Sequence, residues 1–253
     1  MGKAGKPTPD AHRFRDKTPE EYKRPDLNPY LKKHREYGLP VLRADQAAAN
    51  IGAWNSHFKR DAPLHVEIGS GNGFFLAGRA TQSPEFNWLG LEIRFKRVVL
   101  TARKLENAEV QEHARIARYD AKQLSDLFAP GEIQCVYVNH PDPWPKERQA
   151  KNRLLSEAFF ADLANLVAPE GEFRLKTDHH INVEATLENA APDQWEQIGR
   201  SDDVNEIGAP WPLDIVTNYQ RKFLERGEPV YALWLRRTPA RSLDKDTPSL
   251  AKK

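Results

Sequence analysis

The sequence predicts an α/β protein built on a mostly parallel, open, Rossmann-like sheet with helices on both faces. Three observations predict it. Short apolar runs alternate with amphipathic stretches between Leu64 and Leu235, and the first run ends in a glycine-rich turn, VEIGSGNGFF. Acidic residues recur where the runs end, at Glu67, Glu92, Asp120, Asp142 and Asp178. Alternating strand and helix patterns imply βαβ units. Such sheets bind ligands beyond the carboxyl ends of their strands, at the point where strand order reverses.

Leu64–Ile68 is a short apolar strand leading into Gly69, Gly71 and Gly73. Phe74–Ala80 follows as a helix and Phe86–Leu91 as a second buried strand. Arg94–Glu106 is an amphipathic helix with Val98, Val99, Ala102 and Leu105 on one side. Arg115–Tyr119 is a weaker strand ending at Asp120, and Ile133–Val138 (IQCVYV) is a clear one. Past the proline-rich loop His140–Pro145, the pattern predicts a long helix over about Asn152–Val167, stopped by Pro169 and Gly171. Phe173–Lys176 is a fifth strand, ended by Thr177 and Asp178, and a helix follows to about Ala190. Thr217–Arg226 is helical and Pro229–Leu235 forms a last strand; Trp54, Trp195 and Trp234 read as core or core-edge residues.

The flanks differ in kind. Residues 1–40 are proline-rich and charged, a flexible basic arm with order expected only towards Leu27–Tyr37; 41–237 form the α/β domain, and 238–253 a basic polar tail. The net charge of +2 hides this division: residues 1–36 and 236–253 each carry +4, leaving −6 for the body. Basic ends on an acidic body suit a polyanionic partner held at the periphery, or simply solubility. The single Cys135 excludes a disulfide framework and a Cys-based zinc site and suits a reducing compartment. A mean hydropathy of −0.73, with no long apolar run and no apolar leader, predicts a cytoplasmic protein without a membrane partner.

The glycine turn points to a nucleoside ligand. Its three glycines let the backbone turn tightly and approach a ligand. Glu92, closing the second strand, can accept both ribose hydroxyl hydrogens. Dinucleotide sites share this layout, but Phe74 stands where their third glycine would be, and Glu67 would repel a pyrophosphate. A cationic, phosphate-free adenosine fits better: S-adenosylmethionine carries an ammonium and a sulfonium. Asp120 and Ala121 then suit the adenine amino group.

The fourth strand runs into VNHPDPWPKERQAKNRL, where prolines stiffen a loop carrying Asp142 and Trp144. One carboxylate can accept from both N1–H and N2–H of guanine, leaving N7 free. N7 bears a lone pair and no hydrogen, so its methylation needs no general base, only alignment and electrostatics. Trp144 reads as a core anchor ahead of a base-stacking residue. Lys146, Arg148, Lys151 and Arg153, opposed only by Glu147, form a candidate phosphate track. Asp178-His179-His180 does not predict a metal site, because adjacent histidines seldom ligate one ion.

PDPWPK-x-R-x-x-K-x-R-L after a strand, EIGSGNG, GLEI, a KTD strand end and T-x-Y-x-x-K-F, in this order from about Asn28 to Arg236, resemble the bacterial tRNA (guanine-N7-)-methyltransferase family. The resemblance implies a class I methyltransferase fold with an antiparallel last strand, S-adenosylmethionine as donor and the variable-loop guanosine of tRNA as acceptor. It implies cofactor contacts at Glu67, Glu92, Asp120 and Asp142, with Asp142 also catalytic, beside the glycine turn of Gly69, Gly71 and Gly73 read above. Lys146, Arg148–Arg153, Asp178, Thr217, Tyr219 and Gln220 match substrate-side positions. Gln220 stands where the family usually has Glu, and Gln149 and Asn152 replace a frequent His and Arg. Two rival readings remain open: a methyltransferase acting on another RNA or a small molecule, and a non-catalytic RNA-binding module. The assembly is expected to be a monomer or a homodimer.

Overall fold

Strand β2 (Leu64–Ile68) is buried along its whole length, as expected of a strand covered on both faces. It is central to an eight-stranded sheet in a computed structural model that describes residues 29–239. Expectations for 1–28 and 240–253 lie outside the described residues.

The remaining elements follow in chain order. Helix α1 (Pro29–Glu36) precedes β1 (Val41–Leu42), α2 (Ala44–Ala48) and α3 (Trp54–Phe58). After β2 come α4 (Phe74–Gln82), β3 (Asn87–Glu92), α5 (Phe95–Asn107), β4 (Ala114–Arg118) and β5 (Ile133–Asn139). Then come α6 (Glu157–Leu166), β6 (Val167–Thr177), α7 (His180–Asn189), β7 (Trp195–Ser201), α8 (Val204–Ile207), α9 (Asn218–Arg226) and β8 (Tyr231–Arg237). Strand order is β1-β4-β3-β2-β5-β6-β8-β7. The first six strands run parallel, whereas β8 is antiparallel to both β6 and β7. The order reverses between β2 and β5, so the glycine turn after β2 and the proline-rich loop after β5 leave the sheet side by side.

Alternation along each strand fills the two faces. Leu64, Val66 and Ile68, with Leu89, Leu91, Val136 and Val138, pack against Trp54, Phe159, Phe160, Leu163 and Val183. Trp88, Ile116, Cys135 and Tyr137 pack on the other face against α4 and α5 through Phe75, Leu76, Val98, Ala102 and Leu105. Gly73, at φ 78°, opens α4; a Cβ there would lie 2.7 Å from Thr101 Cα, so glycine lets α4 seat against α5. Gly90 on β3 serves likewise, since a Cβ would meet Ser70 Oγ at 2.4 Å and prevent the turn from folding over the sheet.

Several expectations change. The helix expected over about Asn152–Val167 is shorter, α6 spanning Glu157–Leu166, and a separate 3-10 segment, Glu147–Asn152, precedes it. Ser156 separates them because its hydroxyl accepts from Phe159 N at 3.3 Å and caps α6. The chain then enters β6 at once, passing through Pro169 and Gly171 beside a register shift opposite β5. Strands β1 and β7 and helices α2, α3 and α8 were not expected. The short edge strand β7 alternates poorly because most of it is partly exposed. Trp54 and Trp195 are buried, and Trp234 packs at the edge of a small cluster of Val204, Trp211, Val230 and Ala232.

Candidate active site

A cleft of about 680 Å³ opens at the carboxyl rim where strand order reverses. Its walls include Glu67, Gly69, Gly71, Glu92, Asp142, Trp144, Thr217 and Tyr219. Four separate chain segments therefore converge there: the turn after β2, the end of β3, the loop after β5 and the start of α9.

The turn after β2 is held by the carboxylate at the end of β3. Glu92 Oε2 accepts from Gly71 N at 3.0 Å and Oε1 from Arg94 N at 2.8 Å, with Arg97 Nη1 at 3.8 Å. Glu67 is buried, and its Oε1 accepts from Asn139 Nδ2 at 3.2 Å. Its Oε2 is buried without a hydrogen-bond partner. Burial, with the nearby Glu92 charge, raises the Glu67 carboxyl to about 7 against the hydrogen bond of Asn139, the neighbouring Ser70 hydroxyl and the charge of Lys176. A buried acceptor without a donor, facing a cleft, is suited to a cationic ligand. The donor set fits S-adenosylmethionine: one acid is available to an ammonium, another stands beside the second strand end, and the glycine turn lies between them.

The loop after β5 is pinned at several points. Asn182 Nδ2, from α7, donates to Pro141 O at 2.9 Å, and Arg153 Nε donates to Trp144 O at 3.1 Å. Between these pins Asp142 is exposed. Trp144 is not a core anchor: it is half-buried, at φ 42°, in the cleft wall. Pro143 and Pro145 bracket it and keep its ring at the mouth.

Not every residue singled out in the sequence lines this cleft. Gly73 acts one step back, at the α4–α5 contact. Asp120 sits at the end of β4 with Oδ1 accepting from Lys122 N at 3.0 Å, and Ala121 begins the 3-10 segment so capped. Lys146, Arg148 and Lys151 are exposed beyond the loop, while Arg153 turns inward to the Trp144 carbonyl. Asp178 accepts from His140 Nδ1 at 2.9 Å. Burial raises the Asp178 carboxyl, but hydrogen bonds from His140 and the backbone outweigh it and leave the group below its usual range.

Gln220 lies under the floor rather than in the cleft. Its Oε1 accepts from Lys176 Nζ at 2.9 Å, and its Nε2 donates to Asn205 Oδ1 at 3.3 Å. Lys176 is fully buried and also donates to Asp214 Oδ2 at 3.0 Å and Ile215 O at 2.6 Å. Burial lowers the Lys176 pKa, opposed by Asp214 and Glu67. His140, Asn139, Lys176 and Asn182 thus belong to the site although the sequence did not single them out. The available signals were the polar Asn139-His140 pair closing an apolar strand and a lysine at an inward position of FRLKT.

Residues 61–233 match the protein family described as "Putative methyltransferase". The chain is 35% identical over 181 residues to the tRNA (guanine-N(7)-)-methyltransferase of Bacillus subtilis (strain 168), covering 71% of this chain and 83% of that protein. It is 33% identical to the enzyme of the same name from Oenococcus oeni (strain ATCC BAA-331 / PSU-1), covering 82% and 94%. Among solved structures, the 16S rRNA methyltransferase KamB superposes with a TM-score of 0.57 at 15% identity, covering 74% of this chain and 94% of that one. That last likeness is one of fold.

Proposed function

Because the chain belongs to the tRNA (guanine-N(7)-)-methyltransferase family, we propose that it methylates N7 of the variable-loop guanosine of tRNA, with Asp142 as the residue that orients the base. The reaction is S-adenosylmethionine-dependent methylation of guanine N7 in tRNA. The cofactor, when bound, supplies an electrophilic methyl group. Glu67 would hold its ammonium, Glu92 its ribose, and the backbone of Gly69 to Gly71 the body of the ligand, with Gly73 seating α4 behind the turn and Asp120 and Ala121, just beyond the cleft lining, at the adenine edge. Asp142 accepts from the guanine Watson–Crick edge and leaves N7 free; no residue removes a proton from N7, which has none. Lys146, Arg148 and Lys151 hold backbone phosphates outside the loop, and Arg153 holds the loop itself. Thr217 and Tyr219 form the opposite wall. Asp178 and Gln220 support that wall from behind, through His140 and Lys176. We place the protein's action in the cytoplasm, alongside the RNA substrate.

One observation carries this reading: Glu67, Glu92 and Asp142 converge on a single cleft at the switch point, and Glu67 keeps one buried oxygen without a partner. The test is incubation with labelled S-adenosylmethionine and undermodified tRNA, followed by mapping of the labelled nucleoside. The expected product is 7-methylguanosine in the variable loop. Label in another base, or in no RNA, overturns the reading. Among the described residues, no helix is long and apolar enough to cross a membrane.

A further inference from the structure

His140 joins every wall of the acceptor side. It stands two residues before Asp142, at φ 49°, a left-handed conformation that a non-glycine residue holds only when its surroundings impose it. Its backbone N donates to Lys176 O at 2.7 Å. Its side chain is 4% exposed. Nδ1 faces Asp178 Oδ1 at 2.9 Å, and Nε2 faces Thr217 Oγ1 at 3.3 Å. The ring stacks against two aromatic rings of α9, Tyr219 at 5.7 Å and 26° and Phe223 at 5.7 Å and 16°.

The chemistry of Asp178 sets the direction of the first bond. An ionised Asp178 only accepts, so Nδ1 donates to it. Thr217 Oγ1 accepts from Gln220 N at 3.0 Å as the cap of α9 and meets Nε2 of His140 on its other side. A carboxylate–imidazole–hydroxyl chain thus runs from the end of β6, through the reaction loop, to the first turn of α9.

Resting on the methyltransferase reading above, we infer that His140 is a positioning residue: by hydrogen bonding Asp178 and Thr217 and stacking against Tyr219 and Phe223, it sets the spacing between the loop carrying Asp142 and the α9 wall across which the guanine is held. It touches neither reacting atom. Its role is to keep two independently connected segments at one separation, on which the alignment of an in-line transfer depends.

The test compares wild type, His140→Phe, His140→Asn and His140→Gln. Phe keeps a stacking ring and loses both bonds; Asn retains a donor near the Nδ1 position, and Gln a polar group near Nε2. In His140→Phe, kcat for tRNA methylation is expected to fall about tenfold or more, while the cofactor Kd and the melting temperature stay near wild type. Amide hydrogen exchange in the first turn of α9, measured without cofactor or RNA, should accelerate while that of α5 does not. Asn or Gln should recover part of kcat. Asp178→Ala should give the same split, and the double variant should be little worse than the worse single one. Unchanged kcat and α9 exchange in His140→Phe, a parallel decline of melting temperature, cofactor affinity and kcat, or additive losses in the double variant would each overturn the proposal. If His140→Phe does not fold, the same measurements on His140→Gln decide, because it too loses the Asp178 bond. Absence of methyl transfer by wild type would instead overturn the proposed function, and the exchange measurement would still report on His140.

Discussion

Asn139 and Glu67 close neighbouring strands of the sheet, and the amide of one donates to one carboxylate oxygen of the other at 3.2 Å. The second oxygen of Glu67 is thereby turned away from the protein's own donors while remaining buried. The pair holds an acid in readiness for a cation brought from outside.

Glu67 makes cofactor affinity depend on pH. With its carboxyl raised to about 7 by burial and Glu92, the group is largely protonated at pH 6 and largely ionised at pH 8. If the ionised form binds the ammonium, cofactor affinity at pH 6 is roughly tenfold weaker than at pH 8. Isothermal titration at the two pH values should show this difference, and Glu67→Gln should abolish most of it along with tight binding.

The same shift has a cost for the cofactor-free fold. A carboxyl whose folded value of about 7 lies above its ordinary value of 4.5 favours the folded state below that ordinary value. This stability is lost as pH rises through about 7. Glu67→Gln should therefore melt higher than wild type at pH 8, by an amount corresponding to about 3 kcal/mol at most, and the advantage should vanish near pH 4. Thermal melts of both proteins across this range provide the check.

Asp142→Ala should leave the melting temperature nearly unchanged, since the side chain is exposed, yet lower kcat about 10²-fold or more. Asp142→Asn, which keeps one acceptor and loses the charge, should fall between the two. Single-turnover methylation of tRNA at saturating cofactor measures both. Wild-type rates in Asp142→Ala would remove this residue from the mechanism.

Arg148 and Lys151 are exposed beside the reaction loop. Their joint replacement by Ala should weaken tRNA binding and flatten the dependence of log K on log salt by roughly 1–2. Binding titrations between low and physiological salt test this, and an identical slope would show that the phosphates run elsewhere.

Lys176 should dominate the stability of the floor. Replacing this fully buried lysine with Met strands Asp214, Gln220 Oε1 and the Ile215 carbonyl and should cost roughly 3–5 kcal/mol. Adding Asp214→Leu should restore part of the loss, because it removes the stranded charge while Gln220 Oε1 and Ile215 O still lack the lysine donor. Chemical denaturation of the two single variants and the double one tests the coupling.

The centre of the fold was legible in the sequence because its strands are buried on both faces and are bounded by glycine, proline or acidic residues. Leu64–Ile68 is such a case, and its limits are those of β2. The edges were not: Val41–Leu42 is too short to show a period, and the alternation of Trp195–Ser201 is blurred by partial exposure. Within the site, acids at strand ends were visible because position alone marks them. The tasks of Gln220 and Asp178 were not, because hydrogen bonds to Lys176 and His140 span 44 and 38 residues of chain and leave no local trace. Trp144 looked like core because tryptophan usually is; its place in a proline-bound loop overrode that tendency.

The reversed direction of β8 has a consequence for the cleft. Tyr231 enters the sheet opposite Thr177, the last residue of β6, so the chain must already be at the carboxyl rim when β8 starts. The helix immediately before it is delivered there without a long connection. Had β8 run with its neighbours, the preceding segment would have ended at the far side of the sheet, some 20 Å away by the usual rise per residue, and the cavity would lack its fourth wall. The enclosure over the acceptor is thus a by-product of a single inverted strand.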